Sequence, residues 1–76
     1  MAQLDEWLKD AVRILNWVGK DKVRLKQIGE YYSDTATWEV QTQPREYADG
    51  VIVFGQSTEY PTFAHAFEAA LKELMR

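Results

Sequence analysis

The sequence predicts an α+β domain in the order α-β-β-β-α, a two-layer sandwich in which a three-stranded antiparallel meander packs against two helices. Three observations carry this expectation. Apolar residues recur at three- and four-residue steps near both ends of the chain, short alternating or apolar runs lie between them, and Gly, Pro, Asp and Ser residues separate the runs. No internal repeat, linker or low-complexity stretch interrupts the 76 residues, so residues 1–76 read as a single domain.

The first helix is read from Leu4, Trp7, Leu8, Ala11, Ile14, Leu15 and Val18, with Asp5, Lys9, Arg13 and Asn16 on the polar side. Gly19 follows as a candidate left-handed C′ residue, and Lys20 and Lys22 lie beside the negative end of the helix dipole. Trp17 falls roughly 120° from the stripe centre at 3.6 residues per turn. It is expected either to cover a neighbouring loop or to contact a partner.

Val23 and Leu25 alternate with Arg24 and Lys26, a half-buried strand whose pattern slips at Gln27, Ile28 and Gly29, marking a bulge or the strand end. After Ser33 and Asp34, residues 36–42 alternate cleanly, with Trp38 and Val40 inward and Glu39 outward. Residues 43–50 read as a polar loop, and residues 51–54 as a strand that is apolar on both faces and stops at Gly55. The last helix is expected from about Tyr60 and Pro61, with Ser57, Thr58 or Thr62 as its cap. Its stripe is Phe63, Ala66, Phe67, Ala70, Leu71 and Leu74, opposite His65, Glu68, Lys72 and Arg76. Both helices on one sheet face is the simplest packing; one on each face is the alternative that the two-faced third strand favours.

Composition narrows the function. With no cysteine and one histidine, thiol nucleophiles, Cys/His metal cages and Ser-His-acid triads lack their parts. The Gly-rich phosphate fingerprints are also missing, and Glu46 with Asp49 reads as a solvated loop pair, so no catalytic residue, cofactor or metal is expected. No run approaches the roughly 18 apolar residues of a membrane span, and the first residues lack a basic signal-peptide region, so a cytoplasmic setting is expected.

Charge is uneven along the chain. Residues 1–26 hold six basic side chains against four acidic ones, and residues 27–76 hold three against eight. The cluster Lys20, Lys22, Arg24 and Lys26 is a candidate nucleic-acid contact, with Tyr31 or Tyr32 to stack on bases. The net charge of −3 weighs against it.

The α-β-β-β-α order resembles that of the double-stranded-RNA-binding domain over nearly the whole chain. That family places a lysine cluster at the start of its last helix, where this chain has Thr62-Phe63-Ala64-His65-Ala66. The short acidic domain also resembles small accessory proteins of phages and mobile elements, including anti-CRISPR and host-takeover inhibitors. The segments that carry this likeness are Val51 to Gly55, Gln56-Ser57-Thr58, and the Ala-rich helix around residues 64–71. It implies a stoichiometric inhibitor of a larger host protein or complex.

The expected function is therefore non-catalytic protein binding, by an inhibitor or adaptor whose contact surface combines Trp17 with Glu46, Tyr47 and Asp49. Nucleic-acid binding is the alternative. An apolar third strand at a sheet edge further suggests a homodimer through Ile52 and Phe54.

Overall fold

A computed structural model describes the backbone of residues 2–29 and 36–76, with side chains from residue 6 onward. The expected Ser33–Asp34 turn, Tyr31 and Tyr32 lie outside the described residues, as do the side chains of Leu4 and Asp5. Element order follows the expectation: α1 (Ala2–Val18), β1 (Arg24–Ile28), β2 (Thr37–Glu46), β3 (Ile52–Tyr60) and α2 (Phe63–Leu74). The strands form one antiparallel sheet in the order β1-β2-β3.

Leu8, Val12 and Leu15 of α1, Val23 before β1, Leu25, Trp38 and Val40 of the sheet, and Phe63, Ala66 and Ala70 of α2 form a single buried core. Both helices therefore cover the same sheet face, giving two layers. The other face carries Arg24, Lys26, Glu39, Gln41, Ser57 and Glu59, aligned across the strands. One wet face is the usual condition of an antiparallel sheet.

Two residues near the end of α1 do other work than the sequence suggests. Gly19 does not take a positive φ. It is buried where the chain turns against α2, and a Cβ there would lie 2.9 Å from Val23 Cγ1 and 3.1 Å from Leu74 Cδ1. Close packing, and not a left-handed cap, requires glycine. Asn16, expected on the polar side, is half-buried. Its Nδ2 donates to the Leu25 carbonyl at 2.8 Å, and its Oδ1 accepts from the Leu25 N–H at 2.7 Å. The amide thus takes the place of a neighbouring strand along the outer edge of β1. Asn16→Ala leaves both Leu25 groups without this partner in a half-buried place. A loss of about 1–3 kcal/mol is expected, read as a lower urea midpoint.

The hairpin is longer than the sequence suggests. Residues 43–46 continue β2, and β3 runs through Gly55 to Tyr60, so Ser57 and Thr58 are strand residues and Thr62 caps α2. Pro44 is compatible with β2 because β1 pairs only as far as Arg24↔Gln41, which leaves β2 an edge beyond that point. The connecting turn is tight. Gly50 N–H donates to Tyr47 O, Tyr47 N–H to Val51 O, and Gly50 sits at φ 85°, the three-residue loop with a left-handed glycine.

Gln43 also adopts a positive φ, 58°, opposite Gly55. Its effect is an inversion of the strand. Leu25 turns its N–H and C=O to Asn16, away from β2, so alternation makes Val40↔Thr58 a hydrogen-bonded pair of the β2–β3 ladder. Beyond Gln43 the Tyr47–Val51 bond gives the opposite phase, in which odd residues face their partner strand. The inverted alternation also explains why the Arg24 guanidinium, on the open face, lies 5.1 Å from the centroid of the Phe54 ring.

Candidate docking surface on the helical layer

The stripe on α1 is wider than the face it buries. Leu8, Val12 and Leu15 point into the core, whereas Trp7, Ile14 and Val18, also expected there, are 59%, 57% and 54% exposed. At 100° per residue these three share one flank of the helix, the flank toward α2. Packed helices normally lie 8–10 Å apart axis to axis, which brings their backbones closer than that. Here no Cα of α1 comes within 8 Å of a Cα of α2 among the described residues.

The gap between the helices is an apolar groove. One hollow of about 500 Å³ is walled by Trp7, Ile14 and Val18 on one side and by Phe67, Leu71 and Leu74 on the other. A second, of about 470 Å³, shares Trp7, Phe67 and Leu71 and reaches Phe63. Phe63 joins this surface to the core: its ring stands edge-on to Trp38 at 5.1 Å and to Trp7 at 6.0 Å, and lies 5.1 Å from Phe67. The charged residues lining the two hollows are Asp10, from α1, and Glu68, from α2. Each pairs with a cation on its own helix, Arg13 at 3.1 Å and Lys72 at 3.5 Å. Both pairs are solvent-exposed and worth little, so either carboxylate can exchange its partner.

The residues expected to bind a partner occupy two other places. Trp17 is 76% exposed on the side of α1 opposite Leu8, Val12 and Leu15. Glu46, Tyr47 and Asp49 belong to the hairpin tip, where the Asp49 carboxylate accepts from the Val51 N–H at 3.1 Å. Tyr47 is half exposed in a hollow with Gln43, Arg45, Val53 and Gly55, while Glu46 shares a small one with Asp21 and Ile52.

The basic segment is divided as well. Lys20 and Lys22 lie in the α1–β1 connection, and Arg24 and Lys26 on the open sheet face. There Lys26 aligns with Glu39, and Glu39 with Glu59, so carboxylates adjoin the cations. His65 is exposed at the start of α2. Thr62 Oγ1 accepts from its backbone N–H at 3.3 Å and lies 2.7 Å from its Nδ1, a capping arrangement. Among the described residues no three His, Asp or Glu side chains are placed to hold a metal ion. No described helix is long and apolar enough to cross a membrane.

In comparisons with known proteins, no family model, no curated protein and no solved structure matches the chain.

The apolar stripe places Trp7, Ile14 and Val18 in the core, which hides the groove; in the structure all three are exposed along it. The available signal was the width of the stripe, since one helix resting on a sheet buries a face, not a face and its flank.

Proposed function

We propose that this chain is a non-catalytic protein-binding module, an inhibitor or adaptor that attaches to a larger protein by receiving an amphipathic helix of it in the groove between α1 and α2. The groove is the observation that carries this reading. Three exposed apolar side chains, Trp7, Ile14 and Val18, line up along one wall and extend the core outward through Phe63. A third helix laid there completes the helical layer, with anchors at i, i+3, i+4 and i+7. Asp10 and Glu68, one on each wall, favour an occupant whose apolar face is flanked by Lys or Arg. The reading matches stoichiometric action on a host machine, as small phage-type inhibitors act.

The experiment is a fluorescence titration with two designed amphipathic helical peptides that share a Leu face, one flanked by Lys and the other by Glu. The Lys-flanked peptide is expected to bind at least tenfold tighter, and Ile14→Asp to weaken it by tenfold or more, about 1.4 kcal/mol. Ile14 is more than half exposed, so the variant should keep its fold. Equal binding of both peptides, or unchanged binding by folded Ile14→Asp, counts against the reading.

A further inference from the structure

The two edges of the sheet are treated differently. At β1 the outward N–H and C=O of Leu25 are taken by the Asn16 side chain. At β3, nine residues long, no described hydrogen bond occupies the outward backbone groups. Its sequence, Ile-Val-Phe-Gly-Gln-Ser-Thr-Glu-Tyr, has no Lys and no Pro, and Glu59 is its one charge. Lysine, proline, bulges and covering segments are the means by which edge strands are kept from pairing.

The inversion at Gln43 decides which groups face outward. Toward the hairpin tip, where the Tyr47–Val51 bond sets the phase, the N–H and C=O of Ile52 and Phe54 point away from β2. Toward α2, where Val40↔Thr58 is bonded, those of Ser57 and Glu59 do. These four positions are self-complementary. In an antiparallel pairing with a second β3, Ile52 meets Glu59 of the second copy as Phe54 meets Ser57, and the two-fold axis passes between Gly55 and Gln56.

We infer that the chain forms a symmetric homodimer by antiparallel pairing of β3 with β3 of a second copy, giving a six-stranded sheet that leaves both helical grooves open. The expected Ile52 and Phe54 contact is then carried chiefly by their backbone groups.

The test is sedimentation velocity from about 1 to 200 μM on the full chain, two edge variants and the groove variant Ile14→Asp. Ser57→Pro removes an outward N–H that β2 does not use, so the hairpin keeps its ladder while the edge loses a donor. Ser57→Lys/Glu59→Lys keeps every N–H and adds the charge that natural edges carry. The wild type is expected to dimerise, and both edge variants to dissociate at least tenfold more readily with unchanged circular dichroism. If Ser57→Pro fails to fold, the double lysine variant decides. A monomeric wild type overturns the inference. So does a dimer that survives the folded edge variants, or one that only Ile14→Asp breaks, which would place the contact in the groove.

Discussion

Trp38→Ala is expected to leave the chain unfolded at room temperature. The side chain is fully buried, its ring stands edge-on to Phe63 at 5.1 Å, and it links the sheet to α2. Truncating such a residue costs roughly 3–5 kcal/mol. That is close to the whole stability of so small a domain. Trp17→Ala removes a side chain that is 76% exposed, and a change within about 1 kcal/mol is expected. Urea titrations followed by far-UV circular dichroism separate the two. Equal losses would mean that the core is not centred where the structure puts it.

Gly19 gives the second large effect and distinguishes two reasons for a glycine. If it served as a left-handed helix cap, asparagine would be a tolerable replacement. In the structure the obstacle is space: a Cβ meets Val23 Cγ1 at 2.9 Å, Leu74 Cδ1 at 3.1 Å and Leu15 O at 3.3 Å. Gly19→Ala is therefore expected to cost about 1–3 kcal/mol through overpacking, and Gly19→Asn at least as much. A neutral Gly19→Asn would restore the capping explanation.

These cases show what could be read from the residues alone. Both helices and the three strands were legible because burial imposes a period: Leu8 and Leu15 follow the helix, Leu25 follows β1, and Trp38 and Val40 follow β2, while Val12, also buried, lies outside the expected stripe. Residues 43–46 of β2 and 55–60 of β3 were not, because almost all of them are exposed and need not alternate. Pro44 and Gly55 then read as strand breakers, although an edge tolerates both. Gln43 carries no sequence mark of its positive φ, so the inversion it produces was invisible.

The candidate site divides along the same line. The position of Trp17 off its stripe left it either covering a loop or facing a partner, and Tyr47 fell in a polar loop; the structure exposes both. The groove depends on how far apart α1 and α2 sit, a tertiary quantity that sets which part of an apolar stripe is left uncovered. Asn16 is the converse case, a polar residue whose half-buried place is explained only by the Leu25 backbone beside it.

If the groove is the docking surface, the three tryptophans report on it directly. Trp7 lines the groove, Trp38 lies beneath it in the core, and Trp17 is on the opposite side of α1. A ¹⁵N–¹H spectrum resolves their three indole N–H signals during titration with the Lys-flanked amphipathic peptide. A saturable shift at the Trp7 indole, with Trp17 unmoved, is the predicted result. Movement of Trp17 together with Tyr47 while Trp7 stays fixed would contradict docking in the groove and assign binding to the far side of α1 and the hairpin tip.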